Sequence, residues 1–405
     1  MKRGREFEYR SRGRRRSGWR MLLPGLSPAR FDWLLLLLAV LLVGTGLVFV
    51  DACFTANLDF RSEGMSEGAS FAKHLKTVAM SVPLLLAGLY VRPVWLRRNA
   101  WLAYLVGIGL LALVPVIGIE LNNARRWLDT GLGFHLQPSE LMKIGLVLGL
   151  AAALYRNHLE TLSSWVKPAL LALVPMAMIV TQPDLGTTLT IPPVTLGMLY
   201  LAGARGRTIL GVVAVGALAG VAAWNGGLVK EYQQQRVETW LEAFDPETVV
   251  DDRNGAAFHT FNARTAIGNG GLRGRGIGAG VANRAGHLPM KESDSIWSVI
   301  AEELGLVGSG AVLLGYALFA MLILRAAGEL RDRFCRLVVG GVGLYFGVHL
   351  FLHVGVNIGL LPLTGLTLPL FSTGGSSFLA SFGALGLALG LTARTAAPLD
   401  ADSFR

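Results

Sequence analysis

Long apolar runs without charge constrain this chain more than any other feature of its sequence. The first extends from Trp33 to Val50 and contains no charged residue. A helix needs about 20 such residues to cross roughly 30 Å of hydrocarbon. Only helices and closed barrels satisfy every backbone polar group in lipid. Because 52% of the 405 residues are hydrophobic and 16% are charged, the sequence predicts an all-α polytopic membrane protein.

Ten apolar segments are predicted to cross the membrane, and an even number puts both termini on one side. The segments are 32–50, 77–91, 101–118, 140–155, 167–181, 186–202, 208–224, 295–324, 337–359 and 377–392. Short loops on the side of the N terminus are all basic, as cytoplasmic loops tend to be. Their Lys and Arg residues are Arg92, Arg97, Arg98, Arg156, Lys167, Arg205, Arg207, Arg325, Arg331, Arg333 and Arg336. Both termini are therefore expected to be cytoplasmic.

This topology defines three regions of the chain. They are a basic cytoplasmic tail at 1–31, a membrane domain of ten transmembrane helices at 32–392 and a cytoplasmic tail at 393–405. The expected outer segments are 51–76, 119–139, 182–185, 225–294 and 360–376. The large outer loop, 225–294, lies between helices 7 and 8. A loop of this length is too long to be a simple connector, so it is expected to carry function.

The formal charge of +10 has a local origin, because ten Lys and Arg residues fall within the first thirty positions. Such a cluster before a membrane span sets topology and attracts anionic lipid headgroups. Membrane lipids, and no nucleic acid, are therefore the expected partners of this tail. The two cysteines, Cys53 and Cys335, fall on opposite sides of the predicted membrane, so no disulfide and no cysteine metal site is expected.

The segment LQPSELMKIGLVLGL opens a predicted span with two charges, Glu140 and Lys143. Glu140 has an alternative explanation, since an acidic residue near a helix N terminus complements the helix dipole. Lys143 lies three residues further on the same helical face, where the two side chains can pair. A lysine at the centre of a membrane helix costs about 3 kcal/mol. The pair is therefore expected to face a polar site that opens outward.

Further polar groups fall in the outer segments. Asp184 lies in TQPDLGTT, where a simple turn is the alternative explanation. The glycine-rich run in the large loop satisfies a loose G-x-G-x-x-A spacing, but no βαβ unit surrounds it, so a dinucleotide site is rejected. Glycines and the nearby Arg264, Arg273 and Arg275 could instead handle a pyrophosphate. A flexible loop is the other explanation.

Asp294 is the sharpest candidate for catalysis. It lies where the large loop meets the eighth predicted span, beside Glu292 and ahead of the apolar run SIWSVIA. Desolvation there would raise the pKa of its carboxyl toward that of a useful base. Its alternative role is to cap the following helix, which Ser293 could also do. Glu302 and Glu303, about two turns deeper, are expected to be buried carboxylates.

Five motifs in this order resemble the SEDS family, to which the bacterial peptidoglycan polymerases RodA and FtsW belong. They are RRWL with QPSELMK, TQPDLG, the glycine-rich loop, the LPMKESD segment with EELG, and NIGLLPLTGLTLPL with STGGSS. The resemblance covers roughly residues 32 to 392. It implies a glycosyltransferase that polymerises lipid II into β-1,4 glycan strands at the outer face of the bacterial cytoplasmic membrane, for elongation or for division.

The resemblance also implies roles for particular residues. The essential loop aspartate of the family corresponds to Asp294, the predicted catalytic base. The residues expected to bind substrate are Arg126, Glu140, Lys143, Asp184, Arg264, Arg273, Arg275 and Ser376. A class B penicillin-binding protein, which crosslinks the glycan, is the implied partner. No particular cofactor is implied, and a divalent cation, Mg²⁺ or Mn²⁺, is left open as an aid to diphosphate departure.

The chain departs from the family pattern near Asp294. The family usually has Pro-Glu-x-His-Thr-Asp-Phe before this span, whereas Met290 and Glu292 here replace the usual Glu and His. Thr373 replaces the usual Tyr of the final loop. These changes leave the aspartate in place and alter its surroundings.

Two other functional classes remain open at the level of sequence. A flippase or transporter for lipid-linked sugars would use the same polar cavity and the proline-containing spans. A membrane scaffold of the cell-wall machinery would need neither Asp294 nor Glu140. The clustering of charged residues on one predicted face favours an enzyme.

Overall fold

A computed structural model describes most of the chain. The described residues are 26–27, 30–55, 69–121, 124–131, 134–157, 159–161, 163–227, 231–244, 256–284, 288 and 290–394. Most of the predicted basic tail, the C-terminal tail beyond 394 and parts of the large outer loop lie outside these residues.

The described residues form helices α1 to α13 and a small sheet. The helices are α1 Trp33–Thr55, α2 Ala69–Tyr90, α3 Pro93–Ile117, α4 Pro138–Leu154, α5 Ser163–Thr181, α6 Leu185–Leu201, α7 Gly206–Asn225, α8 Glu231–Glu242, α9 Ala256–Gly270, α10 Val281–Arg284, α11 Ile296–Glu329, α12 Arg333–Asn357 and α13 Gly375–Thr392. The strands are β1 Ile119–Leu121, β2 Ala124–Asp129 and β3 His135–Leu136. They pair antiparallel in the order β1-β2-β3.

Each predicted apolar segment coincides with a helix, which confirms a mostly helical, multi-pass membrane protein. Within the described residues, seven helices are long and apolar enough to cross a membrane, namely α1, α3, α5, α7, α11, α12 and α13. Helices α4 and α6 are apolar but have 17 residues each. Helix α2 carries Lys73 and Lys76 in its first turns. A total of ten crossings therefore stays a prediction.

The core lies around α12 and α13, whose side chains are mostly buried. Helix α12 packs against α4, α6, α11 and α13, and α2 packs along α13. The α2–α13 contact depends on a missing side chain, since a Cβ at Gly386 would lie 2.1 Å from the carbonyl oxygen of Leu85. Small residues are the usual means by which membrane helices approach each other closely.

Helix α11 is broken near its first third, and the glycine-rich loop fills the break. Gly305 has φ of 68° and ψ of −173°, a conformation that residues with side chains avoid. The amides of Arg275 and Gly276 donate to the carbonyls of Glu302 and Glu303. In return, the amides of Leu306 and Val307 donate to carbonyls of the loop. The loop therefore completes the hydrogen bonding of the interrupted helix.

The break in α11 gives two glycines, Gly274 and Gly305, a packing role that the sequence did not indicate. A Cβ at Gly274 would lie 2.1 Å from the carbonyl oxygen of Glu303, and one at Gly305 would lie 2.2 Å from the amide nitrogen of Gly274. The two backbones can approach each other only because both residues lack a side chain. The glycine-rich loop is therefore packed and hydrogen-bonded against α11, as a flexible loop would not be.

Candidate functional site

The polar segments of the sequence meet at one end of the helix bundle. The sheet leads into α4, the turn before α6 lies beside the start of α4, and the segment before α11 contacts the loop between α12 and α13. The segments containing Arg126, Asp184, Asp294 and Ser376 are thereby brought together, as the sequence predicts for residues on one face.

Asp294 lies in a tight turn at the start of α11. The amides of Ser293 and Asp294 both donate to the carbonyl of Met290, at 3.0 Å each. The carbonyl of Asp294 accepts a hydrogen bond of 3.0 Å from Asn357 on α12. The N-cap of α11 is Ser295, and no side chain caps this helix. Capping is therefore not the role of the Asp294 carboxylate.

The loop between α12 and α13 holds this turn from the other side. Thr373 donates to the carbonyl of Glu292 from both its amide, at 2.8 Å, and its hydroxyl, at 3.1 Å. Ser372 donates to the carbonyl of Ser293 at 2.7 Å. Gly365 passes beside the carboxylate, because a Cβ there would lie 3.4 Å from Oδ2 of Asp294. Thr373, the departure from the family pattern, thus fixes the backbone next to Asp294.

The surroundings of Asp294 change its acidity. Burial raises the pKa of this carboxyl from its ordinary 3.8 to about 6, and a hydrogen bond from Ser293 opposes the rise. The negative charges of Glu292 and Asp184 add to the rise, and the positive charge of Arg126 opposes it. A carboxyl with this pKa is largely ionised at neutral pH and can accept a proton there.

Asp184 organises the ends of two helices. One carboxylate oxygen, Oδ1, accepts from the amide of Thr187 at 3.1 Å and caps α6. The other, Oδ2, accepts from the Gln137 side chain at 2.9 Å and from the Ser139 hydroxyl at 3.1 Å. The cap fits the predicted turn, but the two bonds across to α4 go beyond it. Asp184 therefore joins α6 to the QPSE motif.

Arg126 and Ser376 lie next to this junction. The guanidinium of Arg126, on β2, donates to the carbonyls of Gln182 and Pro183 just before α6. The hydroxyl of Ser376 accepts from the amide of Gln137 at 2.7 Å and donates to the carbonyl of His135 at 3.2 Å. These bonds fix the start of α4 against α13 and β3.

Glu140 and Lys143 form the ion pair that their spacing predicts. Lys143 Nζ lies 2.8 Å from Oε1 of Glu140 and 2.8 Å from Nε2 of His349 on α12, and all three side chains are buried. Nδ1 of His349 lies 2.7 Å from the carbonyl oxygen of Tyr345. Only a protonated Nδ1 can donate to that oxygen, so Nε2 of a neutral ring accepts from Lys143. The pair thus lies in the protein interior with a third member that the sequence did not indicate.

The three loop arginines make their described contacts elsewhere. Arg264 donates to the carbonyl of Ala243 and lies over the ring of Phe244. Arg275 donates to the carbonyl of Asn269 from an exposed position, and Arg273 is also exposed. The structure therefore does not group them with Asp294 among the residues it describes.

A divalent cation would need several oxygen or nitrogen ligands from neighbouring side chains. Within the described part of the chain, no three His, Cys, Asp or Glu side chains come together as a metal site. The described residues therefore do not provide a ligand set of their own for such an ion.

Comparison with known proteins identifies the family. The family model of FtsW, RodA and SpoVE, described as a cell cycle protein, matches residues 32–396. The chain belongs to this family. The peptidoglycan glycosyltransferase MrdB of Escherichia coli (strain K12) is 33% identical over 362 residues, which cover 88% of this chain and 92% of MrdB. The probable peptidoglycan glycosyltransferase FtsW of Nitrosococcus halophilus is 34% identical over 389 residues, covering 92% of this chain and 95% of that protein.

The fold of this FtsW, RodA and SpoVE family member is also found in a solved structure. The similar chain belongs to a peptidoglycan synthase complex described for its coordination of polymerization and crosslinking, with a TM-score of 0.72 and 29% sequence identity. The match covers 89% of this chain and 97% of that one. The resemblance inferred from the motifs is therefore confirmed at the level of family and fold.

Proposed function

We propose that this protein is a peptidoglycan glycosyltransferase that polymerises lipid II at the outer face of the bacterial cytoplasmic membrane. In this proposal the ten apolar segments are all transmembrane helices and both termini are cytoplasmic. The segments that meet around Asp294 then face outward, where the substrate is presented. The observation that carries the proposal is the partly buried Asp294 carboxyl, with a pKa of about 6, beside Arg126.

Asp294 is the proposed general base. Joining two sugars through a β-1,4 bond requires removal of the proton from the attacking 4-hydroxyl as the diphosphate leaves the donor. The ionised Asp294 carboxylate takes this proton. The bonds from Asn357, Ser372 and Thr373 to the turn keep its backbone still, so little reorganisation is needed during transfer.

Cationic groups are proposed to receive the departing diphosphate. Arg126 is near enough to Asp294 to influence its charge, and guanidinium groups bind phosphates well. Asp184 and Ser376 keep the helix ends around Arg126 in place. Lys143 is proposed to supply positive charge from within α4. Glu140 orients the Lys143 side chain and offsets its charge until the anionic substrate binds.

The loop arginines are proposed to act earlier than the transfer. Arg273 and Arg275 are exposed, and Arg264 lies at the other end of the same loop region. Positive charge there would raise the local concentration of an anionic lipid-linked substrate. Their part is therefore substrate capture, and neutralising them should raise KM more than it lowers kcat.

A class B penicillin-binding protein is the proposed partner. The similar chain of known structure belongs to a complex that coordinates polymerization with crosslinking. A polymerase of this kind releases strands that need crosslinking, so the two activities belong together. MrdB and FtsW relatives are similar to the chain at nearly the same identity, and cell elongation and cell division are the two settings proposed for its activity.

The test is polymerisation of labelled lipid II by the purified protein with its cognate penicillin-binding protein. Moenomycin is added to inhibit contaminating polymerases of the other glycosyltransferase class. Long strands are expected from wild type and none from Asp294→Asn. Asp32→Asn is the matched control, because Asp32 bonds the amide of Leu35 at the start of α1 and asparagine can keep that bond.

Two results would contradict the proposal. Equal polymer from wild type and Asp294→Asn would exclude Asp294 as the base and direct attention to Glu292. Absence of polymer from the folded wild-type complex, together with lipid II translocation in liposomes, would replace the polymerase with a flippase.

A further inference from the structure

A second buried polar cluster lies directly behind the Asp294 turn. Lys291 is 5% exposed, and its Nζ donates to the backbone carbonyl of Asn283, at 2.9 Å, and to the side-chain Oδ1 of Asn283, at 2.7 Å. Asn283 is fully buried, and its Nδ2 donates to Oε1 of Glu303 at 2.9 Å. The Asn283 amide thus stands between an ammonium group and a carboxylate.

The chemistry of the two charged groups fixes the orientation of this amide. An ammonium group only donates and a carboxylate only accepts, so Oδ1 must face Lys291 and Nδ2 must face Glu303. Burial lowers the pKa of Lys291, whereas the negative charges of Glu292 and Glu303 oppose that change. A buried charge is costly unless it is paired and hydrogen-bonded. A lysine is retained here at a cost, which calls for a reason beyond packing.

The cluster is continuous with the turn that carries Asp294. Lys291 follows Met290, whose backbone φ is 46° and whose carbonyl accepts the amides of Ser293, Asp294 and Ser295. The carbonyl of Lys291 also accepts a weak bond from the Cys53 thiol at the end of α1. Because the turn is one hydrogen-bonded unit, an anchor at Lys291 determines where Asp294 is held.

We propose that Lys291, through Asn283 and Glu303, is a positioning residue that holds the Asp294 carboxyl in its desolvated place. The inference rests on the proposed polymerase and deepens it. Lys291 does not touch substrate. It acts by keeping the turn pressed between α11 and the loop before α13, where water has limited access to Asp294.

The groups that face Asp294 determine the expected pH dependence. They are Glu292 and Ser293 on the same turn, Arg126 from β2 and Asp184 from the start of α6. The charges of these groups are the same after Lys291 is replaced, whereas the hydration of a loosened turn increases. Because burial is the largest cause of the raised pKa of Asp294, loosening lowers that pKa toward 3.8.

The experiment measures lipid II polymerisation against pH for wild type, Lys291→Met and Lys291→Arg. Methionine is expected to lower kcat on the order of ten- to a hundred-fold, as small displacements of catalytic groups do, with KM unchanged. The acidic limb of its pH profile is expected to move to lower pH. Arginine keeps a charged donor, so Lys291→Arg is expected to recover the wild-type limb. Lys76→Met, at an exposed lysine of α2, is the matched control.

Hydrogen exchange of the amides of 293–295 gives a readout that does not need activity. Faster exchange in Lys291→Met than in wild type and Lys76→Met is expected. If Lys291→Met does not fold, the charge-neutral double variant Lys291→Met with Glu303→Gln takes its place with the same expectations.

One result would overturn the inference. An unchanged acidic limb and unchanged exchange in a folded variant would leave Lys291 a packing residue, with the polymerase proposal intact. A wild type that makes no polymer would instead contradict the polymerase proposal. In that case the exchange measurement alone decides whether Lys291 holds the turn.

Discussion

At the scale of single residues, the Asp294 carboxyl has a raised pKa and lies near Arg126, whose guanidinium already donates to backbone carbonyls. Asp294 is partly buried and held by backbone bonds, whereas Asp184 is fully used in joining α4 to α6. The two aspartates are therefore proposed to have different tasks. The one with free acceptor capacity is suited to take a proton, and the other is suited to hold the site together.

Glu292 gives a direct test of the electrostatics around Asp294. Its negative charge raises the pKa of the Asp294 carboxyl, so Glu292→Gln should lower that pKa. A general base works when ionised, so the activity that rises through about pH 6 in wild type should rise at lower pH in the variant. The check is the pH profile of kcat/KM. An acidic limb that stays in place would show that Glu292 does not act on Asp294.

The Glu140–Lys143 pair separates stability from function. Lys143→Met leaves a buried carboxylate without its cation, which typically costs about 3–5 kcal/mol of unfolding free energy. The neutral double variant Glu140→Gln with Lys143→Met should recover thermal stability and still polymerise poorly, since the cation is lost. Thermal unfolding and polymerisation of the three proteins check this. Full activity in the double variant would make the pair purely structural.

The i,i+3 spacing of Glu140 and Lys143 within a span is enough to predict that they pair. The position of Asp294 just before a span is enough to mark it as a candidate. It does not indicate His349, which lies 206 residues from Lys143 along the chain. Nothing in the spacing of histidines distinguishes this one from the others. Only the packing of α12 against α4 reveals that it completes the cluster.

At the scale of elements, the interrupted helix α11 and its glycine-rich loop decide where Asp294 lies. Glu302 and Glu303 fall between the Asp294 turn and the break, and their carbonyls accept hydrogen bonds from the loop. Glycine in the sequence was open to two explanations, phosphate contact or flexibility. The structure adds a third explanation, packing against the break in α11. The sequence does not reveal it, because it does not show that α11 lacks its own hydrogen bonds at this point.

Gly305 tests this junction. Alanine there would have to adopt φ of 68° and place its Cβ 2.2 Å from the amide nitrogen of Gly274. Gly305→Ala should therefore destabilise the protein by an amount on the order of 3–5 kcal/mol, as strained or overpacked core sites do. Gly310→Ala is the matched control, since its Cβ would meet nothing within 4 Å. Equal thermal stability of both variants would contradict the packing role of the loop.

At the scale of the whole molecule, hydrophobic patterning predicts a mostly helical, multi-pass membrane fold. Each of the ten predicted segments coincides with a helix, with boundaries that differ by a few residues at most sites and by more in α2 and α3. The short sheet β1 to β3 was not predicted, because its strands have two to six residues and no clear alternation. Hydrophobic patterning does not predict that distant loops come together, because their meeting depends on how the helices pack.

The central claim of the proposed function is that Asp294 is the base of glycosyl transfer. The most direct measurement is the rate of lipid II polymerisation between about pH 5 and pH 9 by wild type and by Asp294→Asn, each with its partner. The wild-type rate should rise as the carboxyl loses its proton near pH 6, and the variant should show only a low rate without that rise. An Asp294→Asn protein that keeps the same rise would contradict the account.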